Sequence, residues 1–281
     1  MSDIETLDAG WMRERPLPER GDEGKHARGQ VLVVGGEAEL AGAAMLAGVA
    51  ALRAGAGKLQ VAVAGAAVAP LSVALPEARI LALPDAESSA AADLVMQHAE
   101  RCDALLIGPG MMDDRAGLAA ALLALETEDP VVVDAGALMA VPSAPGRPGR
   151  VLTPNAGEMA RLLDFEKRAV DADPLAAGRQ AAQRFEAIVV MKGAATFVAS
   201  PDGQIGRYAG GGPGLGVSGS GDVLGGLIAG LLARGASPFE AAAWGVYLHG
   251  EAGARLASRI GKLGFLAREI ADEAPLILSS Y

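Results

Sequence analysis

Short apolar runs rich in β-branched residues alternate with Ala- and Leu-rich stretches along most of this 281-residue chain, and that alternation restricts the fold more than any other feature. Gln30–Val34 is a buried-strand pattern ending in Gly35-Gly36. Ala43–Ala54 follows as a helical stretch with Gly55 as its stop. Further strands are expected at Leu59–Val63, Ala104–Ile107, Val131–Asp134, Arg150–Leu152 and Ala187–Met191, with helices at Ala116–Leu125 and Ala156–Leu163. Strands that take turns with helical stretches predict crossover units around a parallel sheet. The pattern changes late in the chain. Thr196–Ala199 and Ile205–Tyr208 flank Ser200-Pro201-Asp202-Gly203, a hairpin signal that predicts an antiparallel edge. Two apolar helices, Asp222–Arg234 and Pro238–Ala257, complete the reading. The expected fold is a three-layer α/β/α sandwich with a mainly parallel central sheet. The polar, proline-bearing residues 1–28 read as an N-terminal arm or lead-in loop, and 29–281 as a single domain.

Composition narrows the function. Apolar residues make up 51% of the chain, enough for one large core. Net charge is −10, which disfavours nucleic acid and anionic membranes, and 4% aromatics are too few for a base-stacking surface. The most apolar stretch, Leu40–Leu52, is about 13 residues long and is interrupted by Gly42 and Gly48, too short for a membrane span. The first residues lack the basic start and apolar core of a leader, and the single cysteine, Cys102, suits a reducing compartment. A cytoplasmic protein is expected.

In open parallel sheets ligands bind at the carboxyl ends of the strands. Here those ends are small or polar: Gly35-Gly36, Gly108-Pro109-Gly110, Asp134, Thr153-Pro154-Asn155 and Lys192-Gly193. The most distinctive segment runs from Gly210 to Asp222, where Gly, Pro and Ser are interrupted only by Leu215 and Val217 before the final aspartate. A glycine-rich loop opening into a helix gathers free N–H groups and the positive end of the dipole at one place, an anion site that needs no lysine. It lacks the Gly-Lys-Ser/Thr of a Walker A loop, and it lies too late in the chain for a dinucleotide fingerprint.

Several residues there have two readings. Asp222 is either a helix N-cap or a carboxylate aimed at the second reactant, orienting and deprotonating a hydroxyl that attacks a phosphoryl group, with the dipole keeping it ionised. Lys192, one of five lysines, is either a solvated strand end or part of a nucleotide-contacting turn through Thr196. Asn155 and Glu158 have capping-box spacing, or else Glu158 helps hold magnesium through water. His26, His98 and His249 lack metal-ligand spacing, and no zinc site is expected.

The segment Gly219-Ser220-Gly221-Asp222-Val223-Leu224-Gly225-Gly226 resembles the Gly-x-Gly-Asp anion hole of ribokinase-like kinases. More narrowly, the chain resembles the ADP-dependent NAD(P)H-hydrate dehydratases, the carbohydrate-kinase-like domain of the YjeF type. Gly42–Gly57, Ile107–Gly110, Thr153–Leu162, Met191–Thr196 and Val246–Gly250 carry the likeness. It implies a repair reaction: the hydroxyl of hydrated NADH or NADPH is phosphorylated by ADP, or by ATP, and phosphate leaves to restore the dihydropyridine. It implies that Lys192, Gly193, Ala194, Ala195, Thr196, Gly219, Ser220 and Gly221 bind the nucleotide. It further implies that Ala43, Gly108, Gly110 and Asn155 contact the hydrated cofactor, that Asp222 is the base, and that Mg2+ bridges the phosphates. A homo-oligomer, a tetramer in the family, is the expected assembly. The chain departs from the family pattern at Asn155, usually His, at Gly212, usually Asn, and at Gly136, commonly Asp. Thr153-Pro154-Asn155 with Glu158 is closer to the vitamin-precursor kinases of the same superfamily. A small-molecule kinase and a catalytically silent nucleotide-binding paralogue are therefore the alternatives.

Overall fold

The computed structural model describes residues 4–19, 24, 25, 27–84, 89–112 and 129–281. The helix expected at Ala116–Leu125 lies outside the described residues. Ten strands form one sheet in the order β1-β10-β9-β8-β7-β6-β5-β2-β3-β4. They are β1 Ile4–Thr6, β2 Gln30–Val34, β3 Lys58–Ala64, β4 Ala78–Leu83, β5 Ala104–Ile107, β6 Val131–Val133, β7 Arg150–Leu152, β8 Ile188–Met191, β9 Thr196–Ala199 and β10 Ile205–Tyr208. The seven neighbouring strands β4-β3-β2-β5-β6-β7-β8 run parallel, and β9 is antiparallel to both β8 and β10.

The central strands are apolar on both faces, and their alternate residues go to opposite sides. Val31, Val33, Leu106, Val132 and Val190 pack into one core, and Leu32, Val34, Ile107, Val133 and Val189 into the other. This is why the strands read as continuous apolar runs rather than alternating ones. Five helices with residues in the first core are α1 Ala9–Glu14, α2 Ala41–Arg53, α3 Val68–Ala74, α8 Ser220–Ala233 and α9 Pro238–Arg259, and α10 Ala267–Leu278 joins them. The second face carries α4 Ser89–Ala99, a 3-10 helix at Ala135–Ser143, α5 Ala156–Leu163, α6 Lys167–Ala172 and α7 Pro174–Phe185. The result is the expected three-layer sandwich.

The lead-in stretch differs from the expected loop. β1 pairs in parallel with β10, Ile4 opposite Ile205, and so covers the edge of the hairpin. The Asp8 side chain caps α1 by accepting from Trp11 N–H, and α1 buries Trp11 and Met12. Glu5 accepts from Trp11 Nε1 at 2.6 Å and pairs with Arg15 at 3.0 Å. The contacts among Glu5, Asp8, Trp11 and Arg15 are local, but β10 and Phe239 of α9, against which Trp11 packs, lie far along the chain, so local pattern gives no sign of them.

One seam sets the position of the helix that matters most below. A Cβ built on Gly226 of α8 would stand 2.1 Å from the Ala47 carbonyl oxygen of α2, and one on Gly230 would stand 2.4 Å from that of Ala51. The two helix backbones touch because neither glycine has a side chain. We expect Gly226→Ala to destabilise the fold by about 1–3 kcal/mol through overpacking, read as a lower midpoint in urea at an unchanged slope.

Candidate active site

The carboxyl ends of β6, β7 and β8 meet the amino end of α8 around a cleft of about 910 Å3. Asp134, Asn155, Glu158, Lys192, Asp222 and His249 are among the residues lining it. That volume is ample for a nucleotide-sized ligand.

Lys192 organises the charges. Its Nζ lies 3.0 Å from Asp134 Oδ1 and 3.7 Å from Glu158 Oε2. Burial opposes the ammonium, but Asp134, Glu158 and Asp222 outweigh it and hold Lys192 above its ordinary value. Asp134 is itself buried and accepts a 2.7 Å hydrogen bond from Thr153 Oγ1 on the neighbouring strand end. Lys192 N–H also donates to the Pro154 carbonyl at 2.9 Å. Three successive strand ends are thereby tied together.

α8 begins without a side-chain cap. Its N-cap is Gly219, at φ 87°, a left-handed conformation that favours glycine. Asp222 sits three residues further on, inside the first turn, so it is not the cap. The leading N–H groups of a helix have no intrahelical acceptor, which leaves those of Gly221 and Asp222 open toward an anion. Among the described residues the Asp222 carboxylate makes no hydrogen bond and no ion pair. Burial, followed by the nearby Asp134 charge, pushes Asp222 up to about 7, against the partial relief that Lys192 gives. The helix dipole favours the ionised form, but burial and Asp134 hold the group above the ordinary carboxylate range. A carboxylate near 7 is well matched to taking a proton at neutral pH.

The capping box at Asn155 is present in full. Asn155 Oδ1 accepts from Gly157 N–H and Glu158 N–H, and Glu158 Oε2 accepts from Asn155 N–H at 2.7 Å. Both residues nevertheless line the cleft, so capping and a role at the site coexist. Among the described residues no group of three or more His, Cys, Asp or Glu side chains is arranged to hold a metal ion. Magnesium usually keeps several waters and is held by substrate phosphates. The carboxylates of Glu158 and Asp134 beside the cleft fit that kind of outer, water-mediated support.

Of the residues expected at a nucleotide, Lys192, Gly193, Ala194, Thr196, Ser220 and Gly221 line the cleft, whereas Ala195 and Gly219 do not. Ala43, Gly108 and Gly110, expected at the hydrated cofactor, do not line it either. A Cβ on Gly110 would come 3.1 Å from that of Ala43, and one on Gly108 would meet the Asp134 carbonyl at 1.8 Å. They form a tightly packed belt beside the cleft, at the ends of β2 and β5. Sequence reading did not pick out Tyr208 and His249 as site residues. His249 Nε2 lies 3.0 Å from the Ser220 carbonyl and 2.9 Å from Ser220 Oγ, which fixes the first turn of α8. Burial pushes His249 down to about 4, so it is neutral at physiological pH. Its only sequence signal was its place in Val246–Gly250, 29 residues beyond Ser220 of the glycine loop.

Comparison with known proteins agrees with this geometry. The family profile described as NAD(P)H-hydrate dehydratase (Carb_kinase) matches residues 31–276. An ADP-dependent (S)-NAD(P)H-hydrate dehydratase from Xanthomonas campestris pv. campestris is 47% identical over 283 aligned residues, covering 98% of this chain and 96% of that one. A bifunctional NAD(P)H-hydrate repair enzyme from Escherichia coli is 35% identical over 92% of this chain, and the match spans 48% of that relative's length. The ADP/ATP-dependent NAD(P)H-hydrate dehydratase of Bacillus subtilis, co-crystallised with ATP and Mg2+, superposes with a TM-score of 0.86 at 26% identity, covering 100% of this chain and 99% of that one. With the profile spanning most of the sandwich and the Xanthomonas likeness extending from end to end, this chain belongs to the NAD(P)H-hydrate dehydratase family.

Proposed function

We propose that this chain dehydrates the S-epimer of hydrated NADH or NADPH back to the reduced cofactor, using ADP and releasing AMP and phosphate. The observation that carries the reading is the unpaired Asp222 carboxylate, raised to about 7, inside the uncapped first turn of α8 and in the same cleft as Lys192.

Each role follows from charge. The open N–H groups of Gly221 and Asp222 receive the oxygens of the phosphoryl group in transfer, and the helix dipole favours its negative charge. Lys192 balances the charge that moves onto the nucleotide's leaving phosphate, and the turn through Gly193, Ala194 and Thr196 supports the nucleotide. Asp222 takes the proton of the ring hydroxyl as its oxygen bonds to phosphorus. The hydroxyl becomes a phosphate ester, the ring nitrogen's lone pair expels it as phosphate to leave an iminium, and loss of a proton from the adjacent ring carbon, to the departing phosphate or water, restores the double bond. Magnesium, when bound with the nucleotide, neutralises phosphate charge, and Glu158 and Asp134 fit it through water. Asn155, on the rim of the cleft, faces the hydrated cofactor together with the adjoining belt of Ala43, Gly108 and Gly110.

The direct test mixes the protein with chemically hydrated NADH and either ADP or ATP, and follows the return of reduced-nicotinamide absorbance. Return with ADP is the expected result, and the ATP arm measures how strictly the donor is chosen. Phosphate transfer to an added alcohol with no absorbance recovered would instead make the chain a small-molecule kinase.

Asp222→Asn keeps the shape and loses the base. We expect turnover to fall by about 10²–10⁴-fold while nucleotide affinity, measured by calorimetry, stays within a few-fold. An active Asp222→Asn enzyme would rule out the assigned role.

The pH profile follows from the same residue. Because the base must be ionised, kcat/KM should fall as pH drops through about 7. Lys192 is the neighbour that favours the ionised form. In Lys192→Met the acid limb should therefore move to higher pH, a displacement that weaker nucleotide binding alone would not produce.

A further inference from the structure

A second cleft, of about 430 Å3, lies at the opposite end of the sheet, where β2 and β3 begin. Its lining includes Lys25, Lys58, Arg79 and Arg101, with Glu77 as the one carboxylate among the described residues that line it. In a chain of net charge −10, this is a local concentration of positive charge. Arg79 and Arg101 have no ion-pair partner among the described residues. The neighbouring Asp103 is already engaged, since its Oδ2 accepts from Gln30 N–H at 2.8 Å.

The cleft also contains a buried imidazole with one nitrogen unused. His98, on α4, is 8% exposed and lines the cleft. Gln60 Nε2 donates to Cys102 Sγ, so the Gln60 carbonyl oxygen faces His98 Nδ1, at 2.6 Å, and fixes the ring proton there. Cys102 remains a thiol, because burial pushes it up to about 11. His98 Nε2 is then a bare acceptor with no hydrogen-bond partner among the described residues.

We propose that this cleft is a binding site for a small phosphate-bearing anion, held by Arg79 and Arg101 and sharing a proton with His98 Nε2. Guanidinium groups match phosphate oxygens in geometry and charge. A phosphate that still carries a proton offers the bare nitrogen the donor it lacks. The cavity has the size of a small-molecule site. Its recessed imidazole is reached by a small ligand and not by the flat face of an acidic protein. The charges also predict a linkage. Burial, Arg79 and Arg101 hold His98 below its ordinary value. An anion that neutralises the two guanidiniums removes their share of that effect, so binding takes up a proton. The other charged groups that face the cleft are Lys25, Lys58 and Glu77, with Asp103 bonded to Gln30 beside it.

The test uses the full chain with isotope-labelled histidine, whose three imidazoles report separately, His98 being assigned by loss of its signal in His98→Gln. Inorganic phosphate and pyrophosphate are titrated in turn against chloride at matched ionic strength. The expected result is a saturable change in the His98 signal with phosphate or pyrophosphate and not with chloride, and a His98 titration midpoint raised by about one pH unit. His249 reports independently on any binding in the catalytic cleft. In Arg79→Gln/Arg101→Gln, and to a lesser degree in Arg101→Gln alone, affinity at His98 should fall about tenfold or more, with dehydratase turnover unchanged. No saturable His98 response, the same response to chloride, or an unchanged response in the folded double variant would overturn the proposal. Because the readout is His98 and not turnover, the outcome is independent of the dehydratase reading.

Discussion

The 3.0 Å contact between Lys192 and Asp134 holds the cleft end of the molecule together. It joins the ends of β8 and β6, while Thr153 bonds the same carboxylate from β7 between them. Three carboxylates share this one ammonium, and they share it unequally. Asp134 and Glu158 take the close contacts. Asp222 is left with the burial and the like charges, which is why its proton is held to about 7. The same arrangement that fixes the strand ends therefore tunes the one carboxylate left free. A site so rich in negative charge is a poor host for bare phosphates. In the proposed reading it relies on backbone N–H groups, the helix dipole and any cation that arrives with the nucleotide.

Packing carries this chemistry into the core. Asp222 has its position because α8 is pressed backbone to backbone against α2 at Gly226 and Gly230, and because His249 of α9 grips the carbonyl of Ser220. A shift of α8 by a few tenths of an ångström would move the carboxylate and the open N–H groups together. The glycines of this helix thus serve two purposes. In the proposed reading those before Asp222 shape an anion cradle, and Gly226 and Gly230 after it permit the close seam that holds it still.

The sites legible in the sequence were those whose signal is local. The glycine-rich loop into α8, the capping box of Asn155 and Glu158, and Lys192 at a strand end all follow from spacing along a few residues, and all line the cleft. Asp134 was visible only as a polar strand end, since its partners Thr153 and Lys192 lie 19 and 58 residues away. His249 was hidden for the same reason, 29 residues beyond the Ser220 it holds. Ala43, Gly108 and Gly110 came from family likeness, and their physical character, a close-packed belt beside the cleft, has no signature in three small residues.

The sequence by itself determined the layered architecture, because runs of Val, Ile and Leu too short for helices, separated by Ala-rich stretches, can bury both faces only inside a parallel sheet covered on each side. It also marked the candidate anion site, since loop glycines at a helix start expose N–H groups wherever the helix lies. Tertiary structure alone decided that Asp222 is the unpaired carboxylate while Asp134 and Glu158 are held, because that depends on distances between strand ends remote along the chain. It likewise decided that the first residues form an edge strand and a core-packed helix rather than an arm. Trp11 and Met12 find their burial, and Glu5 its Gln204 partner, only against parts of the molecule some two hundred residues away.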